Sequence, residues 1–433
     1  MMFSRDRLRH LLRHEVVKNT ALLYTVQVGS YIFPLITLPY LSRVLGPSKL
    51  GLVAFAQSFV AYFLMATEYG FNLTATRSIA VNRENPEAVS RTFNSVMAAK
   101  ALLCGLSMAA MIVIVAAVPR FRGDWLLYFV SFLAVIGNLL FPLWLYQGLQ
   151  ILQHVAARDL GAKFLSLVAI FLLIHHEKDY ILAAGIQSGA LALAGLVGLV
   201  MVPRLTKVRF KIPAWSEVVA RLREGAPMFI SMAAMTLYSS TNVFILGLVS
   251  TSAEVGYYST ASRITVALRM LVGPVVGALY PHISHMAAKS QGDVIRFLRR
   301  YSLLLSAPFF LIGVAMLIGA PLVESILFGP KYLPATVLLR IMAFSPFLGA
   351  MAHSYTTYYM LAFGYDKEWT RMVVIGAVIN FAALIPLLHF LRGGQAVAIT
   401  TTLLDVYIVI SSYIFYLKTS PALLRSKEEN VQV

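Results

Sequence analysis

Apolar stretches long enough to cross a bilayer fill most of this chain, and lysine and arginine crowd into alternate gaps between them. A helix of about 20 apolar residues spans the hydrocarbon layer, and helices satisfy their own backbone groups there. The pattern therefore predicts an all-α integral membrane protein of about 12 transmembrane helices. The expected spans are 19–41, 50–76, 93–118, 125–149, 156–174, 180–202, 226–249, 254–280, 301–320, 334–362, 372–390 and 395–417. With the N-terminus inside, the inner segments hold twenty-five bases and the outer ones seven. Loops rich in Lys and Arg stay in the cytoplasm, so both termini are expected there, in a multi-pass membrane protein.

Only 13% of the 433 residues are charged, about half of what a soluble domain carries. The net charge of +17 does not point to nucleic acid, because the bases sit in short connections and form no separate basic domain. Cys104 stands alone in an apolar span, which excludes an internal disulfide and a cysteine metal site. Residues 1–18 are expected to be no signal peptide. Their bases alternate with Leu8, Leu11, Leu12 and Val16 at helical spacing, as in an amphipathic helix on the inner membrane surface.

The longest and most basic connection, residues 203–225, divides the spans into an N-lobe (19–202) and a C-lobe (226–417), followed by a tail, 418–433. Both lobes begin inside, so the expected relation is a parallel pseudo-two-fold along the membrane normal. The first span of each lobe is unusually polar. Thr20, Tyr24, Gln27 and Tyr31 share one helical face, as do Ser231, Tyr238 and Asn242. Helix-to-helix hydrogen bonding accounts for any one of them. Two stripes at matching places point to a water-filled cavity, and hydroxyls and amides suit sugars. Pro34, Pro39, Pro274 and Pro346 mark expected kinks. Gly273 and Gly277, like Gly185 and Gly189, have the spacing of close helix packing.

With Arg158 and Lys163 counted among the inner bases, at the inner part of the span 156–174, four bases remain inside spans: Lys100, Arg263, Arg269 and Arg340. A charge at a helix centre costs about 2.5–3.5 kcal/mol on insertion scales. Lys100, two turns in from the cytoplasm, is expected to snorkel to the headgroups, and Arg340 divides between snorkelling and a ligand role. Arg263 lies roughly 14 Å from the outer end of its span, too deep to snorkel. Arg263 and Arg269 are expected to bind an anionic headgroup, since a guanidinium offers phosphate two parallel hydrogen bonds. Two acids also fall well inside spans, away from their first turn. Glu68 and Asp405 would either pair with an arginine or carry a coupling cation.

The chain contains no GxxxxGK[ST] loop, so it is not its own ATP motor, and no HExxH motif. His282 and His285 lack a third ligand nearby in sequence and read as interfacial, and His175-His176-Glu177 as a solvated turn. No cofactor, metal or catalytic residue is expected, and the chain does not read as an enzyme.

Several motifs resemble a known family. Leu35-Ile36-Thr37-Leu38-Pro39-Tyr40-Leu41-Ser42-Arg43-Val44-Leu45-Gly46-Pro47 is similar to the first-helix signature of polysaccharide transporters. It continues through Gly51–Ser58 and Glu68-Tyr69-Gly70-Phe71-Asn72-Leu73-Thr74-Ala75-Thr76-Arg77, and Pro142–Leu149 is similar to a second motif. Together they resemble the Wzx-type O-antigen flippases of the multidrug, oligosaccharidyl-lipid and polysaccharide exporter superfamily. That resemblance implies two six-helix lobes around a cationic cavity. It also implies transfer of an undecaprenyl-diphosphate-linked oligosaccharide to the periplasmic leaflet of a bacterial inner membrane, with membrane lipid and a glycan polymerase complex as partners. The expected substrate contacts are Arg263 and Arg269 to diphosphate, Lys100 and Arg340 nearer the mouths, and Tyr24, Gln27, Tyr31, Tyr238 and Asn242 to sugars. Two rivals stand beside this reading: a drug exporter of the same superfamily, which would need acids in its cavity, and a non-transporting scaffold, which has no use for buried charge.

Overall fold

The computed structural model describes the backbone of residues 5–151 and 153–431, and the side chains of 33, 35–151, 160–230, 232–233 and 241–421. The protein is 88% helical, with no strand among the described residues. The helices are α1 (Arg5–Glu68), α2 (Phe71–Val81), α3 (Pro86–Ala117), α4 (Pro119–Arg122), α5 (Trp125–Leu140), α6 (Leu143–Gly148), α7 (Gln153–Leu173) and α8 (Tyr180–Leu205). They continue with α9 (Trp215–Val249), α10 (Ser252–Met270), α11 (Val272–Lys289), α12 (Gln291–Leu327), α13 (Thr336–Ile341), α14 (Ser345–Tyr355), α15 (Asp366–Phe390) and α16 (Gly393–Val431).

Among the described residues, nine helical stretches are long and apolar enough to cross a membrane. The first of these, Leu35–Val81, runs through the end of one expected span and all of the next. Helices α7 and α9 coincide with two further expected spans. Asn85 caps α3 by accepting from the backbone N–H groups of Glu87 and Ala88, with Pro86 in the first turn, where its missing N–H costs nothing.

The interruptions have local causes. Within α1 the backbone leaves helical geometry at Gly46, with φ of 68°. A residue before proline is pushed out of the helical region, and Pro47 follows. Thus α1 breaks at Gly46, whereas Pro39 lies inside a helical stretch. Pro274 and Pro346 sit in the first turns of α11 and α14, just past the breaks at Leu271 and at 342–344, where proline is tolerated.

The chain forms two compact units, Met1–Phe244 and Ile245–Val433, and the division falls inside α9. In the first unit Trp144, Tyr146, Phe71 and Phe93 are fully buried in a core that gathers α2, α3, α6 and the end of α8. In the second, Tyr416 packs edge-on against Tyr359 with centroids 5.1 Å apart and tilted against Tyr355 at 5.3 Å.

Of the four glycines expected to pack closely, Gly185 does so, where a Cβ would stand 3.0 Å from Val130 of α5. Gly273, Gly277 and Gly189 face open space. The tight crossing is between α5 and α8: a Cβ on Gly195 would stand 2.3 Å from the carbonyl oxygen of Gly137, and one on Gly137 2.5 Å from the backbone of Leu191. Backbone cannot yield as a side-chain tip can. Gly195→Ala should therefore lower stability by about 1–3 kcal/mol, the usual cost of overpacking. The readout is the thermal unfolding midpoint in detergent, with Gly273→Ala expected to leave it unchanged.

Candidate functional site

In the first unit, the motif Glu68-Tyr69-Gly70-Phe71-Asn72 is a turn with two left-handed residues, Tyr69 (φ 49°) and Gly70 (φ 81°). It ends α1 and starts α2. Tyr69 stacks on Phe229 at 4.7 Å, and a Cβ on Gly70 would meet Met228 at 2.8 Å. The turn thus joins the end of α1 to α9. Asn72 donates to the Glu68 carboxylate one helical turn away.

Lys100 is 1% exposed. Its ammonium donates to the backbone carbonyl of Asn138 at 2.7 Å and to the side-chain oxygen at 3.0 Å. Glu68 is near enough to interact with it electrostatically. The expected snorkelling is therefore corrected: Lys100 points into the packing of α3 against α5, because Asn138 supplies two acceptors where no headgroup reaches. Tyr62 donates to Thr241 at 3.0 Å, and Asn242 beside it is buried.

In the second unit, Arg269 on α10 pairs with Asp405 on α16, with Nη1 at 2.9 and 3.2 Å from the two carboxylate oxygens. Ser345, at the start of α14, donates to Asp405 at 2.5 Å. Asp405 is 3% exposed and Arg269 37%. One nitrogen makes both contacts to Asp405, so Nε and Nη2 keep their protons for another acceptor. Gly349 of α14 lies against this guanidinium, where a Cβ would stand 3.5 Å from Nε. Of the two readings left open for Asp405, the structure shows an ion pair.

Arg263 is exposed, six residues before Arg269 on α10. Arg340 is exposed in the last turn of α13 and donates from Nε to the carbonyl of Leu317 at 3.1 Å. Tyr24, Gln27, Tyr31 and Tyr238 lie outside the described residues, and nothing is assigned to their side chains.

The sequence reading missed Glu324. Helix α12 runs on to Leu327, past the expected span end at 320, so Glu324 belongs to the helix and is fully buried. Neither carboxylate oxygen has a hydrogen-bond partner, nor do the buried hydroxyls of Tyr332 and Thr336 just beyond. Its position four residues before Phe328-Gly329 was the available signal.

The family profile described as polysaccharide biosynthesis protein matches residues 16–287. The chain belongs to the polysaccharide biosynthesis protein family. A relative from Escherichia coli (strain K12), named "Putative O-antigen transporter", is 29% identical over 386 residues, covering 89% of this chain and 93% of its own. Two solved structures share the fold. One is an inward-facing multidrug resistance MATE family transporter of the MOP superfamily (TM-score 0.69, 15% identity, covering 91% of this chain and 96% of its own). The other is the lipid II flippase MurJ in an inward closed conformation (TM-score 0.68, 12% identity, covering 93% and 87%). This member of the polysaccharide biosynthesis protein family is thus a multi-pass helical membrane protein with a transporter fold.

The ion pair makes a prediction of its own. Removing one partner of a fully buried pair costs about 3–5 kcal/mol. Because Arg269 keeps about a third of its exposure, Asp405→Ala should cost less, about 1–3 kcal/mol. The double variant Arg269→Met with Asp405→Leu should recover most of that loss, as read by thermal unfolding in detergent.

Proposed function

We propose that the chain is a flippase that moves an undecaprenyl-diphosphate-linked oligosaccharide from the cytoplasmic to the periplasmic leaflet by alternating access. The observation that carries the reading is the guanidinium chemistry of the second unit. Arg263 is exposed on an apolar helix, and Arg269 is held through Nη1 by Asp405, which Ser345 in turn bonds, leaving Nε and Nη2 out of that contact. A bilayer tolerates such groups where they meet an anion or water. A diphosphate answers that requirement, and the relative's name and the family description support a glycan cargo.

In this reading Arg263 and Arg269 take the diphosphate and Arg340 attracts it from nearer one mouth. Lys100, tied to Asn138, contributes positive potential rather than a contact. Asn242, with Tyr24, Gln27, Tyr31 and Tyr238, meets the sugars. The N-lobe is 19–202 and the C-lobe 226–417, with both termini in the cytoplasm of a bacterial cell and the connection 203–225 on the same side. A drug exporter would want a free acid where Asp405 instead faces Arg269.

Moving an anion out of a negative interior is favoured by about 2.3 kcal/mol per charge per 100 mV. Glu68 stands as the carrier of a coupling cation, should the potential be insufficient. A bacterium lacking its O-antigen flippase should regain surface glycan on expressing this chain. Arg263→Ala should cut that glycan by about 10- to 100-fold at equal membrane abundance, the worth of one charge-assisted hydrogen bond. Unchanged glycan with Arg263→Ala would remove the headgroup assignment.

A further inference from the structure

Between α8 and α9 the chain runs without regular structure over residues 206–214, yet its backbone is fixed. Asn94 on α3 donates to the carbonyl of Arg209 at 2.9 Å, and the Arg209 N–H donates to Ser90 at 3.0 Å. Val208 is buried in the core of the first unit, and Phe210 meets Phe93 edge-on at 5.4 Å. In an extended segment alternate side chains point to opposite sides. Val208 turns to the core and Phe210, though 56% exposed, leans on it through Phe93, while Lys207, Arg209 and Lys211 at the alternate positions are exposed together.

They line a cavity of about 770 Å³ together with Ser90, Arg91 and Asn94. Glu87 and Glu217 also line it, but Glu217 lies 3.7 Å from Arg91. A second cavity of about 400 Å³, sharing Pro86 and Lys207 with the first, adds Arg83 and Arg204 and no acid. Both lie where the apolar stretches Pro86–Ala117 and Glu177–Leu205 end, which is the level of a membrane surface. Beside them Ile212 is 99% exposed, and Phe210 and Trp215 are exposed as well.

The topological role of the bases requires only that they lie in the connection. It does not require three of them in alternate register on a pinned segment facing a cavity, next to exposed apolar side chains. A soluble anion would use the bases and leave Ile212 and Trp215 without purpose. A lipid uses both, its phosphate on the bases and its acyl chains against the apolar side chains. We propose that these cavities form a binding site for the headgroup of an anionic phospholipid. The site rests on the membrane placement of the chain and not on the transport reading, so either can fail alone.

The test is lipid retention by the purified full chain from vesicles of phosphatidylcholine with phosphatidylglycerol, read by native mass spectrometry. The expected result is preferential retention of phosphatidylglycerol, weakened by about fivefold per base in the variant carrying Lys207→Gln, Arg209→Gln and Lys211→Gln. The charge-preserving set Lys207→Arg, Arg209→Lys and Lys211→Arg should retain the lipid, which separates binding from folding. The backbone bonds of Arg209 survive both sets. Equal retention of the two lipids by the unaltered chain would overturn the site. So would an equal loss from Arg296→Gln, Arg299→Gln and Arg300→Gln, or displacement of the lipid by inorganic phosphate at ordinary ionic strength.

Discussion

A charge carried into the hydrocarbon needs a partner, an aqueous face or a route to the headgroups, and the polar ties between the helices of this protein follow from how Lys100 and Asp405 are answered. Lys100 is answered by Asn138, which ties α3 to α5. Asp405 is answered by Arg269 and Ser345, which tie α16 to α10 and α14. These are polar crosslinks between helices whose other contacts are apolar and therefore weakly distinguished from lipid. They fix which helix faces which within each unit. Arg263 and Arg340 differ from these in being exposed, with Arg340 also donating to the Leu317 carbonyl.

The same economy governs the backbone. A bilayer penalises unpaired N–H and C=O groups, so helices break only where a residue enforces it. Gly46 before Pro47, and Tyr69 with Gly70, supply two such breaks in the first unit, the latter packed against α9 through Met228 and Phe229. The family motif is therefore legible as mechanics as well as resemblance. Gly46 and Gly70 stand where the chain turns, Gly148 stands where Ile79 leaves no room for a Cβ, and Pro142 precedes the short helix that buries Trp144 and Tyr146.

The spans were legible because hydropathy is a one-dimensional signal. Nine helical stretches among the described residues are long and apolar enough to cross a membrane, and the expected spans 372–390 and 395–417 fall within two of them, on α15 and α16. Pairing was less legible, because a partner such as Asn138 or Ser345 is far off in sequence and chemically ordinary. The glycine spacing misled for a similar reason: Gly273 and Gly277 have the right interval and face open space, while Gly137 and Gly195, on different helices, make the contact. Glu324 escaped because a hydropathy window ends at a charge, whereas the helix ends when its hydrogen bonds do, at Leu327.

The account stands on translocation of a lipid-linked glycan, and the most direct measurement is made without a cell. The purified chain is placed in vesicles with an undecaprenyl-diphosphate oligosaccharide bearing a fluorophore on its sugar, and a membrane-impermeant quencher is added outside. Protein-free vesicles protect the inner half of the fluorophore. The account predicts that vesicles holding the chain lose that protected half, faster when a membrane potential drives the anion outward. Protection equal to that of protein-free vesicles, with the chain folded and the potential imposed, would contradict it.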